Sequence, residues 1–161
     1  MRPGHFRGVT TVVTKLFNAV QPQRAYFGQK DAQQAAVIRR MARDLDFPVE
    51  IVVCPTVREP DGLALSSRNK YLEGEDRKAA LVLYRALSAA KAAFEKGDRD
   101  AEALRSLMRR TIAAEPRARM QYVSCADYDT LDELEKVTGK SLLSLAVLIG
   151  KTRLIDNFVL E

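Results

Sequence analysis

Tryptophan is absent from the chain, histidine occurs once and cysteine twice. Cys54 and Cys125 are far apart and neither belongs to a CxxC or a Cys/His cluster. That excludes a disulfide framework and a zinc site of the usual spacing, and it points to reduced, buried thiols in a cytoplasmic protein. Long apolar runs are also missing. The longest, roughly Leu142 to Gly150, is too short to span a bilayer, and no signal peptide is read, so no membrane partner is expected. No lysine- or arginine-rich tract is interleaved with aromatic residues. The net charge of +5, from 26 basic and 21 acidic residues, therefore suits an anionic nucleotide as well as it suits nucleic acid, and no nucleic-acid partner is expected. Internal repeats and low-complexity segments are absent too. What is present is ordinary for a globular chain: 47% hydrophobic and 29% charged residues over 161 positions, enough for one domain or two small ones with a real core.

The chain is organised around Gly28-Gln29-Lys30-Asp31, which follows the apolar run Ala25-Tyr26-Phe27 and precedes a helical pattern at Ala32-Gln33-Gln34. A strand that ends in a glycine turn and feeds a helix points backbone N–H groups and a positive dipole end outward, a ready anion site. Upstream, Val9, Val12, Val13, Leu16, Phe17 and Val20 recur with helical spacing, and Gln21-Pro22 stops the pattern. Arg2 to Gly8 reads as a loop entered midway, as in an excised or truncated chain. Downstream, a helix over about Asp31 to Leu45 carries Ala35, Ile38, Met41, Ala42 and Leu45 inward and Arg39, Arg40 and Arg43 outward. Val49 to Cys54 then reads as a strand buried on both faces, the mark of a parallel sheet. Helix, strand, helix, strand is a piece of a doubly wound α/β sheet, whose ligands bind beyond the carboxyl ends of its strands.

Pro55, Pro60 and Gly62 punctuate a linker, and the expected division is residues 1–56 and 57–161. The second region reads as a helix from about Glu73 to Lys96, capped by Gly97, and another starting at Asp98 with Leu104, Leu107, Met108, Ile112 and Ala113 on its apolar face. The period then changes to two over Met120 to Ala126, Leu142 to Ile149 and Leu154 to Val159. The fold class expected is α/β: a partial Rossmann-like sheet followed by an α+β part with helices on a small antiparallel sheet.

Two polar clusters stand out: Gly28, Lys30, Asp31 and Gln34, and Ser66, Ser67, Arg68 and Asn69 after the linker. A nucleotide needs cations for its phosphates, a carboxylate for its ribose and backbone amides close to phosphorus, and the clusters together supply all three. Each also has a plain structural reading. Asp31 can be a helix N-cap with Gln34 as its capping-box partner, Ser66 or Ser67 can cap a short helix, and Lys30 can be an ordinary surface lysine.

Arg2-Pro3-Gly4-His5-Phe6-Arg7-Gly8-Val9, Phe27-Gly28-Gln29-Lys30-Asp31 with Gln33-Gln34, Asp61-Gly62-Leu63-Ala64-Leu65-Ser66-Ser67-Arg68-Asn69 and Gly150-Lys151-Thr152-Arg153-Leu154-Ile155-Asp156-Asn157 resemble, in that order, the pantoate–β-alanine ligase (pantothenate synthetase) family. The resemblance runs over essentially the whole chain. That family belongs to the nucleotidyltransferase superfamily related to class I aminoacyl-tRNA synthetases, and its Ser-Ser-Arg-Asn loop is similar to their Lys-Met-Ser-Lys-Ser loop.

The resemblance implies ligation of pantoate to β-alanine with ATP and Mg2+ as the substrate complex, through a pantoyl adenylate, with no tightly bound cofactor and no resident metal centre. By position it puts Gly28, Gln29, Lys30, Asp31, Val57, Leu65, Ser66, Ser67 and Arg68 on ATP. Gln34, Val12 and Val13 fall on pantoate, with Lys30, Ser66, Ser67 and Arg68 assisting catalysis. Arg2 and His5 fall in an active-site loop, with His5 open between ligand contact and loop structure. It also implies a homodimer for the full-length family. Leu65 replaces the usual methionine, which an apolar contact tolerates. The family's His-x-Gly-His motif has no match here, so this chain alone is expected to be inactive in ligation. The alternative is a non-catalytic nucleotide-binding or interaction module.

Overall fold

The computed structural model describes residues 4–161 and divides into two compact units, one ending at Pro55 and one spanning Thr56–Glu161.

In the first unit, α1 (His5–Val20) leads into β1 (Arg24–Gly28), a 3-10 turn (Gln29–Asp31), α2 (Ala32–Asp44) and β2 (Glu50–Cys54). The strands pair in parallel, with Arg24 opposite Glu50 and Gly28 opposite Cys54. Gln21 ends α1 in the left-handed region with its N–H on the Phe17 carbonyl, so Pro22 falls where it costs the helix nothing. Residues 5–8 of the segment read as a loop are helical. Gly4, at φ 76°, starts α1, and His5, Phe6, Arg7 and Gly8 form its first turn. The loop reading gave too much weight to Gly4, which sits at the N-cap, where a helix start tolerates it.

Packing in this unit covers only part of what periodicity marked as apolar. Phe17, Ile38, Met41 and Ala42 are buried, with Val9, Val13, Phe27, Phe47 and Ile51 packed against them. Phe17 meets Phe47 edge-on at 5.6 Å. The apolar stripe of α1 consists of two rows at four-residue spacing. Val9, Val13 and Phe17 face α2 and the sheet, whereas Val12, Leu16 and Val20 are more than half exposed, because the described residues of this unit supply no second layer. Leu45 is also exposed, contrary to the pattern, because it is the C-cap of α2 and lies beyond the last turn that faces the core.

The second unit carries a 3-10 turn (Ser67–Tyr71), α3 (Gly74–Ala79), α4 (Val82–Glu95), α5 (Ala101–Ala113), β3 (Ala118–Asp127), β4 (Ser141–Ile149) and β5 (Thr152–Leu160). The strands form an antiparallel sheet in the order β3-β4-β5, on which α4 and α5 pack. Leu83, Leu87, Leu104, Met108, Ile112, Leu143 and Leu145 make its core. Burying such side chains contributes about 1.5–3 kcal/mol each.

The single helix expected over Glu73 to Lys96 is two. Leu81 and Leu83 donate to carbonyls only three residues back, and this tightened step lets Ala79, Ala80, Val82 and Leu83 all reach the core. The next helix starts at Ala101, three residues later than expected. Asp98 accepts from the Asp100 N–H, and Asp100 is the N-cap, accepting from the Ala103 N–H at 2.9 Å. Ala113 is exposed at its end.

The cysteines are unpaired, with Cys54 half-buried and Cys125 buried; burial pushes the Cys125 thiol up to about 11, leaving it protonated and inert. Among the described residues no helix is long and apolar enough to cross a membrane.

Candidate functional site

The first unit presents its candidate residues at the end of β1 and on the two helices. Gly28 is extended, at φ −75°, and the chain passes directly into the 3-10 turn and α2, so the N-terminal amides of a helix follow a parallel strand. Asp31 occupies the N-cap position of α2 but makes no side-chain cap hydrogen bond. The capping-box reading therefore leaves its exposed carboxylate without a structural purpose. Gln29 and Lys30 are half-buried.

Gly28 is informative because neither its backbone nor its neighbours require glycine: a Cβ there would meet nothing within 4 Å. Gly28→Ala is therefore expected to leave the melting temperature unchanged. Thermal denaturation of the variant checks this, and a lowered melting temperature would show that the backbone there does require glycine.

A depression of about 480 Å3 opens between α1 and α2, lined by His5, Gly8, Val9, Val12, Val13 and Gln34. Gln34 is the one α2 residue among them, and its amide offers both donors and an acceptor to a wall otherwise made of valines, a glycine and an imidazole. The structure thus brings together Gln34, Val12, Val13 and His5. The His5 ring lies 5.2 Å from that of Phe6. Arg2 lies outside the described residues. Gly8 and Val9 were not singled out as site residues from sequence. Their signal is positional: 5, 8, 9 and 12 follow the three- and four-residue spacing of one helix face, which a loop reading of residues 2–8 conceals.

The second unit presents Leu65 to Arg68. Ser66 accepts from the Arg68 N–H at 3.2 Å, so the serine-cap reading holds for Ser66. Ser67 and Arg68 are exposed, and among the described residues no carboxylate pairs with the Arg68 guanidinium. Leu65 is 50% exposed, and its N–H donates to the carbonyl of Val57, itself an exposed residue. The loop is therefore open on one side, with an unpaired cation at its tip.

Its other side is anchored. Asn69 donates from Nδ2 to Glu59 Oε1 at 2.8 Å and to the Ala64 carbonyl at 3.1 Å, and Arg77 Nη2 lies 2.7 Å from both Glu59 Oε2 and Asp61 Oδ2. The Arg77 hydrogen bond, followed by that of Asn69, holds the Glu59 carboxyl below its ordinary value. At Asp61 burial pushes upward, but the Leu63 N–H and Arg77 outweigh it and the carboxyl is again lowered. Groups lowered on folding favour the folded state above their unfolded values, and that contribution is lost as pH falls through the folded values. The Asn69 side-chain amide resonances are accordingly expected to move with a midpoint below the ordinary glutamate value in an acid titration. A midpoint at the ordinary glutamate value would mean that Arg77 does not hold Glu59. Neither Arg77 nor Glu59 was singled out from sequence, since each carries a charge that a solvated surface would equally supply.

No group of three or more His, Cys, Asp or Glu side chains able to hold a metal ion occurs among the described residues.

Comparison with known proteins gives these clusters a context. The family model described as pantoate-beta-alanine ligase matches residues 1–159. Pantothenate synthetases of Roseiflexus sp. (strain RS-1) and Moorella thermoacetica are 67% and 62% identical over 160 residues, covering 99% of this chain but 58% and 56% of theirs. The pantothenate synthetase structure from Thermus thermophilus superposes with a TM-score of 0.92 at 50% identity, over 98% of this chain and 56% of that one. A Francisella tularensis pantoate-beta-alanine ligase, solved as a complex with β,γ-ATP and β-alanine, is 37% identical with a TM-score of 0.67, over 98% and 51%. The chain spans a little over half the length of the curated relatives it matches.

Proposed function

The chain belongs to the pantoate–β-alanine ligase family, and from that membership we propose that it carries the β1–α2 turn, the pantoate wall and the Ser-Ser-Arg loop of an ATP-dependent ligase. The observation that carries this reading is the α1–α2 depression. The residues that the family pattern assigns to pantoate, Gln34, Val12 and Val13, converge there from two helices. Pantoate is a small branched hydroxy acid, and a valine wall with one amide is suited to its methyl groups and hydroxyls.

In the proposed reaction a pantoate carboxylate oxygen attacks the α-phosphorus of Mg-ATP, and the bond to the bridging oxygen breaks to release pyrophosphate. The β-alanine amine then attacks the pantoyl carbonyl carbon of the resulting adenylate, loses a proton and displaces AMP, giving pantothenate. Gly28 and Asp31 are assigned to the ribose, Lys30 to the phosphates, the Val57 backbone to adenine, and Gln29 to ATP without a further role. Leu65, Ser66, Ser67 and Arg68 are assigned to the triphosphate. Negative charge grows on the α-phosphoryl oxygens during attack, and the Lys30 ammonium and Arg68 guanidinium are the groups of this chain suited to stabilise it. The same reading places the protein in the cytoplasm and the complete enzyme in a homodimer.

The 161-residue chain contains no His-x-Gly-His segment, so by itself it is expected to form no pantothenate. Adding a separately expressed segment from a relative, comprising the part that this chain does not match, is expected to restore synthesis. Coupled detection of AMP release with mass-spectrometric assay of pantothenate tests both statements. Synthesis by the purified chain alone would overturn the first, and a complemented mixture that stays silent while the chain also fails to bind ATP would overturn the functional reading.

A further inference from the structure

The ending motif Gly150 to Asn157 has no part in the proposed chemistry, yet it contains the most deeply buried charge in the second unit. Asp156, with a side chain 2% exposed, meets Arg58 through two hydrogen bonds, Nη1 to Oδ2 at 2.7 Å and Nη2 to Oδ1 at 2.9 Å, across 98 residues of sequence. The same Arg58 Nη1 donates to the Gly62 carbonyl at 2.9 Å. The guanidinium carbon lies 5.2 Å from the centre of the Tyr84 ring and 4.9 Å from that of Phe158, and the two rings meet edge-on. Arg58 also heads a short antiparallel bridge to Ala64, within which Glu59 donates to the Leu63 carbonyl, Gly62 to Glu59 and Leu65 to Val57. The loop carrying Ser66 to Arg68 leaves directly from that bridge.

A buried ion pair is weak ground for stability, because replacing both partners with apolar groups is often neutral or stabilising. Its bidentate geometry fixes direction instead. We propose that Asp156 is a positioning residue: through Arg58 it pins the Val57–Leu65 bridge to β5 and so fixes the direction in which Ser66, Ser67 and Arg68 are presented to a triphosphate. The ligand named here rests on the proposed function, whereas the pinning of the bridge does not.

The test uses the 161-residue chain with Asp156→Asn and with the double variant Arg58→Met/Asp156→Leu. Melting, amide hydrogen exchange and titration with ATP and with AMP are the readouts. The double variant is expected to keep its second-unit transition while the Glu59 and Leu65 amides exchange about tenfold faster. ATP affinity is expected to fall about tenfold, with AMP affinity little changed. Lack of ATP binding by the parent chain would sink the nucleotide reading and leave the exchange comparison to decide the positioning role. Unchanged exchange at Glu59 and Leu65 overturns the proposal. So does loss of the cooperative transition in both variants, or exchange there no faster than in β4, because the pair would then be holding the fold and not the loop.

Discussion

Arg68→Ala is expected to lower kcat/KM of the complemented ligase about a hundredfold, equivalent to about 3 kcal/mol of transition-state stabilisation, while the melting temperature of the chain stays where it was. The two halves of that expectation come from the same feature. Arg68 is exposed, with no carboxylate paired to it among the described residues, so the folded chain loses almost nothing when the guanidinium is removed. On the proposed assignment of Arg68 to the triphosphate, truncation removes a charge-assisted donor from a group on which negative charge grows during attack. Ser66 and Asn69 already hold the backbone around it, so truncating the side chain leaves the loop in place. Arg68→Lys keeps the charge without the planar fork and should recover only part of the loss. Steady-state kinetics beside a denaturation curve decide the matter. A loss of less than about threefold would place Arg68 outside the chemistry, and a lowered melting point would make it a structural residue.

Gly62→Ala is expected to destabilise the second unit by about 3 kcal/mol or more. Gly62 has φ 96°, where an L side chain is strained, and a Cβ there would lie 2.4 Å from Tyr84 Cδ1. The left-handed backbone costs about 1–2 kcal/mol. The overlap costs a further 1–3 kcal/mol or so, because the Tyr84 ring is also held by Arg58 and Phe158 and has little freedom to withdraw. Gly97 provides the control. Its φ of 103° is similar, but a Cβ there meets nothing within 4 Å, so Gly97→Ala should pay only for the backbone. Urea denaturation of the two variants separates the terms. Equal losses would show that Tyr84 moves aside freely and that the ring is not a fixed wall behind the loop.

Local features are legible in the residues themselves, because their causes lie within a few positions. The strand at Ala25 to Phe27, the helix after it and the apolar strand ending at Cys54 all follow from short-range pattern, whereas Gly28 is the extended last residue of its strand and the turn is Gln29–Asp31. So do the three strands of the second unit and the turn between the last two. Four ordered motifs also carry the family, since residue type and spacing survive without coordinates. Where short-range cues compete, the pattern misplaces a turn or a cap. Residues 5–8 join α1, Asp100 displaces Asp98 as N-cap, and one long helix becomes α3 and α4.

Contacts across long sequence separations are decided only in the folded chain. Periodicity marks Val9, Val12, Val13, Leu16, Phe17 and Val20 alike, but burial distinguishes Phe17 from its neighbour Leu16 because only one row meets a packed layer. Gln34 and His5 are 29 positions apart and come to one depression because α1 and α2 pack side by side. Arg58 and Asp156, 98 positions apart, become a pair only when β5 is laid into its sheet. Hydrogen-bonding preference and hydrophobic period act along a few residues of chain, so the sequence determines elements and motifs by itself. Which apolar row is covered, and which charge finds a partner, depends on surfaces that do not exist until the elements pack.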